Sequence, residues 1–108
     1  MSDINLVQSL PQGGQEVVYT KIIESLHKDD RLIPLIEERA EFGRNQYGQH
    51  LMTFDGRDTD LEIRQELIDA IFYAKKGLME NGDITYIYVL KSAESLLRLM
   101  LNKASWTT

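Results

Sequence analysis

The stretch TDLEIRQELIDAIFYAKKGLMEN, residues 59–81, decides the fold class of this chain. It is predicted to form one long helix, because Thr59 and Glu62 suit a capping box at its start and Gly82 can end it. At about 100° per residue, one narrow line of side chains along this helix is made up of Glu62, Glu66, Asp69, Tyr73 and Lys76. We call this line the acidic stripe. Apolar residues border it on both sides and Arg64 is predicted to face water, a pattern typical of carboxylates that line a cleft between packed helices.

Helical periodicity of apolar residues recurs elsewhere in the chain, and no stretch shows convincing strand alternation. The sequence therefore predicts an all-α, four-helix bundle, with the helices at 15–27, 31–47, 59–81 and 84–103. Residues 1–14 contain glycine and proline breakers and are predicted to be a flexible lead-in. The remainder, 15–108, is predicted to be a single all-α domain.

Composition excludes several classes of protein. The 108 residues are 43% hydrophobic and 27% charged, as in an ordinary globular domain. There is no cysteine, so a disulfide framework and a thiolate metal site are excluded. The net charge of −5 argues against a nucleic-acid partner. Because the start lacks a basic, apolar leader and no apolar run has membrane-spanning length, we expect a cytoplasmic protein with no membrane partner.

A second acidic cluster precedes the stripe in the chain. Glu37, Glu38 and Glu41 lie in the predicted helix 31–47 at spacings that place them near one another on its surface. If this cluster faced the acidic stripe, the carboxylates would repel one another, and a hard cation such as Mg²⁺ would relieve that repulsion. The plain alternative is that both clusters are solvated helix faces, and the sequence leaves it open.

Several other residues have both a functional and a structural interpretation. Tyr73 suits either the acidic site or the edge of a core. The position of Lys76 near a helix C-terminus is also explained by the favourable interaction of its charge with the helix dipole. Arg57 lies in a turn-like loop from which it can reach a phosphate. His27 and His50 are predicted to be surface or capping residues.

Three motifs in this chain resemble a known family. The acidic pattern Glu37-Glu38-Arg39-Ala40-Glu41, followed by Glu66-Leu67-Ile68-Asp69, resembles the signature of the all-α nucleoside triphosphate pyrophosphohydrolases, the MazG-like and dimeric dUTPase-like enzymes. Small MazG-like bacteriophage proteins are also similar from Arg39 to Leu78, and the resemblance as a whole covers about residues 31–100. They share a Gly-x-x-x-Tyr-Gly-x-x-Leu segment, here 43–51, and a Phe-x-Gly-Arg-Asp loop, here 54–58.

The resemblance implies a Mg²⁺-dependent enzyme, with Mn²⁺ able to substitute, that releases pyrophosphate and a nucleoside monophosphate from a nucleoside triphosphate. It implies a homodimer or homotetramer, located in the host cytoplasm if a phage encodes it. The residues carried over are Glu38, Glu41, Glu66 and Asp69 as metal ligands, Glu37 and Glu38 as catalytic groups, and Lys76, Arg57 and Tyr73 for phosphate or nucleotide binding.

One departure from the larger family members is Gly43, which is expected to weaken or bend its helix. Two other classes of function stay open. One is a nucleotide-binding or sequestering protein that is catalytically weak. The other is a small phage-type helical protein that binds and inhibits a host factor.

Overall fold

The computed structural model describes residues 3–103, and over that range the chain is all-α. Its helices are α1 (Val18–Ser25), α2 (Ile33–Tyr47), α3 (Thr59–Asn81) and α4 (Thr85–Asn102). The predicted all-α class with four helices is confirmed. No helix in this part of the chain is both long enough and apolar enough to span a membrane. The contacts divide the chain into two compact units, residues 7–57 and residues 1–6 together with 58–108.

In the unit of residues 7–57, α1 packs against α2. A proline lies in the first turn of α2, where its missing N–H costs nothing. The helix continues without a break through Gly43, so this glycine does not interrupt it. It ends at Gly48, which adopts a left-handed conformation with φ 82° and donates its N–H to the carbonyl of Arg44.

The segment before α1 pairs with the loop after α2. The pairing includes an antiparallel bridge between Val17 and Met52. Its backbone hydrogen bonds, all close to 3 Å long, are Gln12 N to Asp55 O, Gln15 N to Thr53 O, Thr53 N to Glu16 O and Val18 N to Leu51 O. A Cβ atom at Gly14 would lie only 2.5 Å from that of Met52, so the close approach requires glycine there. This pairing is why α1 begins at Val18 rather than at the predicted residue 15.

The other unit holds α3 and α4, which pack along each other. Its buried apolar residues are Leu61, Ala74 and Ala93. The N-cap of α3 is Asp58, whose carboxylate accepts the N–H of Leu61 at 3.1 Å, so Thr59 is the first helical residue rather than the cap. The helix ends, as predicted, before Gly82, with φ 69°.

Arg64 does not face water as its position on the helical wheel predicted. Its side chain is only 28% exposed, and its Nε lies 2.8 Å from Asp60 Oδ2 one turn earlier. Its Nη2 donates to the carbonyl of Met100, near the end of α4, at 3.1 Å. Lys103 also contacts Asp60, and its hydrogen bond is the largest cause that lowers the pKa of that carboxyl, with Arg64 adding to it. These contacts hold the guanidinium at the helix pair, so the stem of Arg64 can lie against the helices, but its buried Nε makes no hydrogen bond with a residue of the range 3–103.

Candidate functional site

The acidic residues of α2 are exposed, and one of them is paired. Glu37, Glu38 and Glu41 all lie on the accessible surface of the helix. Arg44, one turn after Glu41, donates Nε to its carboxylate at 3.1 Å. This hydrogen bond is the largest cause that holds the pKa of Glu41 below its ordinary value, and the charge of His50 lowers it further. Glu41 is therefore ionised at neutral pH, and any cation that it binds must compete with Arg44.

The other two acids of α2 have their oxygens available. Glu37 and Glu38 make no hydrogen bond and no ion pair with any residue of the described range 3–103. Glu38 and Glu41 are three positions apart in a continuous helix, so their side chains are neighbours on its surface. The helix thus presents one carboxylate pair, with Glu37 directly beside it in the chain.

The acidic stripe runs along an exposed side of α3. Glu66 and Asp69 are both exposed, and neither has a hydrogen-bond or ion-pair partner among residues 3–103. Glu62 is half-buried. The stripe lies next to the face that packs against α4, where Ala74 and Gly77 are buried. Glu66 and Asp69 form a second pair with the same three-residue spacing.

Tyr73 and Lys76 complete the stripe in different ways. Tyr73 is 71% exposed, so its ring is not part of the core of the unit that contains it. The Nζ of Lys76 lies 2.9 Å and 3.0 Å from the two carboxylate oxygens of Glu80, one turn later. A phosphate that approached Lys76 would therefore have to displace this exposed carboxylate, which is a weak competitor.

Arg57 is engaged in holding the loop between α2 and α3. Its guanidinium carbon lies 5.4 Å from the centre of the Tyr47 ring, and its Nη1 donates to the carbonyl of Ser9 at 3.3 Å. Its backbone N–H donates to Asp55 Oδ1 at 3.1 Å, and the side chain of Asp55 is buried. The predicted phosphate ligand thus has a structural role in the loop as well.

His50 is a residue whose surroundings the sequence did not indicate. It was predicted to be a surface or capping histidine, but it is half-buried, with its ring centre 4.8 Å from that of Tyr19. No local signal marks His50, because Tyr19 precedes it by some thirty positions. His27 is exposed and accepts the backbone N–H of Asp29 at 3.2 Å, as a capping residue does.

The donor set is best described as two carboxylate pairs. Among residues 3–103, no three Asp, Glu or His side chains form a group that is ready to hold a metal ion. Each of α2 and α3 instead presents one exposed pair at i, i+3. No family model, curated protein or solved structure matched this chain. The site assignment therefore depends on the chemistry of the residues themselves.

Proposed function

We propose that this chain is a Mg²⁺-dependent nucleoside triphosphate pyrophosphohydrolase that releases pyrophosphate and a nucleoside monophosphate from a ribo- or deoxyribonucleotide. The observation that supports the proposal is the pair of exposed acids on α3, Glu66 and Asp69, which have no hydrogen-bond or ion-pair partner among residues 3–103, together with Glu38 and Glu41 at the same spacing on α2. Surface acids on helices commonly pair with a cation one turn away, as Glu41 does here. Glu38, Glu66 and Asp69 have no such partner among residues 3–103.

The donors fit the proposed metal. Mg²⁺ is usually bound by one or two carboxylates together with substrate phosphates and waters, rather than by a cage made of protein alone. A pair of exposed carboxylates is therefore a sufficient contribution from one helix. In this proposal the metal ligands are Glu38 and Glu41 on α2 and Glu66 and Asp69 on α3, and Mn²⁺ suits the same oxygen ligands. When bound, Mg²⁺ would neutralise phosphate oxygens and lower the pKa of a bound water.

The remaining residues act on the substrate and on water. Glu37, which is exposed and has no partner in the described range, would accept a proton from the attacking water or orient it. Lys76 would exchange Glu80 for a phosphate oxygen and stabilise the charge that the reaction develops. Arg57 would contribute positive charge from the loop, and Tyr73 offers an exposed ring and hydroxyl beside the acidic stripe.

The unit that holds α3 and α4 also supports a homodimer or homotetramer. Besides Tyr73, which the proposal assigns to the nucleotide, the large apolar side chains there that are more than 60% exposed are Phe72, Met79, Ile84 and Tyr88. Burial of these side chains by a second copy would remove apolar area from water. The last turns of α4 are less exposed on the whole: Leu101 is 58% exposed, whereas Leu97 and Met100 are half-buried. We propose that a second copy covers this surface.

Turnover of a nucleotide panel tests the proposal. Purified protein with Mg²⁺ or Mn²⁺ and each common nucleoside triphosphate is expected to release pyrophosphate, whereas Glu66→Gln and Asp69→Asn are expected to lose at least about a hundredfold in kcat/KM. The matched control is Glu24→Gln, an exposed acid of α1 that pairs with Lys21, and its turnover should equal that of the wild type. Binding without turnover would indicate a nucleotide-sequestering protein. The proposal is refuted if the protein neither binds nor hydrolyses any of the nucleoside triphosphates.

A further inference from the structure

Phe54 has an unusual backbone conformation for its residue type. Its φ of 56° lies in the left-handed region, and it is the one residue other than glycine with positive φ in the described range 3–103. A bulky side chain is rarely found there, because its Cβ crowds the backbone. The side chain is nevertheless 79% exposed. The strain is therefore not offset by burial of the ring.

The neighbours of Phe54 on both sides enforce this conformation. Thr53 donates its N–H to the carbonyl of Glu16 and accepts the N–H of Gln15, both at 2.9 Å. Asp55 accepts the N–H of Gln12 at 2.9 Å, and its side chain is only 6% exposed. A strained residue persists only where the surrounding structure determines its conformation, and such residues concentrate at ligand-binding sites. The pairing of the loop with the segment before α1 thus holds an aromatic ring out toward solvent.

The loop that carries Phe54 follows α2 directly and folds back on the α1–α2 pair. At its start, the ring centre of His50 lies 4.8 Å from that of Tyr19 in α1, the helix that packs against α2. At its end, the guanidinium of Arg57 lies over the ring of Tyr47, the last residue of α2. The ring of Phe54 itself makes no aromatic stack and no cation–π contact with residues 3–103. Its face is available, in the same unit as Glu38 and Glu41.

We infer that Phe54 stacks on the base of the bound nucleoside triphosphate. This inference rests on the proposed function, because the triphosphate at the carboxylates is what would bring a base to the loop. Every nucleobase has a flat π face, so an aromatic platform binds bases with little selectivity among them. The contact contributes affinity for nucleotides in general, and it contributes nothing to the binding of a triphosphate that lacks a base.

Calorimetric titration with two ligands tests the inference. The ligands are an α,β-methylene nucleoside triphosphate, which resists cleavage at the scissile bond, and inorganic tripolyphosphate, both with Mg²⁺. Phe54→Leu keeps an apolar side chain but removes the π face, and it is expected to weaken nucleotide binding by about 5- to 100-fold while leaving tripolyphosphate binding unchanged. Phe54→Trp keeps the π face and should retain nucleotide affinity. The matched control is Phe42→Leu, another exposed phenylalanine of the same unit but with regular helical backbone, which should bind both ligands as the wild type does.

A further variant separates ligand binding from structural support. Asn tolerates the left-handed region, so Phe54→Asn relieves the backbone strain and should raise the Tm by a few degrees while it weakens nucleotide binding. A purely structural side chain would not move these two quantities in opposite directions. If Phe54→Leu and Phe54→Asn bind the nucleotide as tightly as the wild type does, the inference is overturned and the proposed function still stands. The same holds if Phe54→Leu loses as much affinity for tripolyphosphate as for the nucleotide. If the wild type neither binds nor hydrolyses any nucleotide, the proposed function and the inference are both refuted.

Discussion

Replacing each of two helical glycines by alanine tests how α3 packs against α4. Alanine is favoured over glycine in a helix interior by about 1 kcal/mol. At Gly43 in α2, an added Cβ would meet no atom within 4 Å. Gly43→Ala is therefore expected to raise the free energy of unfolding by about 0.5–1 kcal/mol.

The same change at Gly77 meets the ring of Tyr86. The added Cβ would lie 2.7 Å from both Cδ2 and Cε2 of that ring and 3.0 Å from its Cγ. Carbon atoms in favourable contact are about 3.5–4.0 Å apart. Because Cγ is close as well, the ring must turn about its first side-chain bond or α4 must shift, and such overpacking costs about 1–3 kcal/mol. After the helix gain, Gly77→Ala should lower stability by up to about 2 kcal/mol.

Urea denaturation of the two variants and the wild type measures this contrast. The two glycine variants should differ by about 1–3 kcal/mol, equivalent to a Tm difference of about 4 °C or more in a chain of this size. Adding Tyr86→Ala to Gly77→Ala should remove the steric part of the loss, which a double-mutant cycle will show. If Gly77→Ala stabilises the protein as much as Gly43→Ala does, the close packing of Gly77 on Tyr86 is not a feature of the native protein.

Four other predictions concern the site, the helix pair and the assembly. Millimolar Mg²⁺ should raise the Tm of the wild type in a thermal melt but not that of Glu66→Gln or Asp69→Asn, because a ligand of the native state stabilises it; an unchanged wild-type Tm would count against the site. Arg64→Ala should lower the free energy of unfolding in urea, since it removes one of the two hydrogen bonds to the Met100 carbonyl and the ion pair with Asp60, and equal stability would contradict the observed contacts. The pKa of Asp60 is lower in the folded state, so its stabilising contribution is present above about pH 4 and is lost as pH falls through the lowered value. Asp60→Asn should therefore reduce the loss of unfolding free energy at acid pH in a stability–pH curve. An unchanged loss would show that the protonation of this carboxyl is not linked to folding. Light scattering at tens of micromolar should give the mass of a dimer or tetramer, and a monomeric mass with full activity would refute the proposed assembly.

Local sequence predicts where α3 begins and ends, but it does not predict which side of the helix is covered by its neighbour. Its bounds, Thr59–Asn81, agree with those predicted, because a helix is closed by hydrogen bonds between residues four apart and ended by a glycine that adopts positive φ. The same reasoning placed Arg64 on the water-facing side and was wrong. A helical wheel gives the angle of a side chain about its own axis, but it does not say which angle the neighbouring helix will cover.

The candidate site also has features that the local sequence predicts and one that it predicts only in part. The acid pairs on α2 and α3 and their three-residue spacing were predictable from the sequence, and the exposure of Glu38, Glu66 and Asp69 was the simplest expectation for charged side chains. The environment of Glu41 was only partly predictable. Its bond to Arg44 spans three positions, whereas the smaller lowering of its pKa by the charge of His50 comes from a residue of the loop after α2.

Sequence by itself determined the fold class, the helix ends at Gly48 and Gly82, and the positions of the acids, since each depends on residues within a few places in the chain. The tertiary structure alone decided the pairing of the segment before α1 with the loop after α2 and the strained backbone of Phe54 that results from it. Those features join residues 33–43 positions apart, and the hydrogen bond from Arg57 to Ser9 spans 48. Such contacts form only when the whole chain has packed, because the free energy that closes so long a loop comes from many contacts together rather than from any local signal.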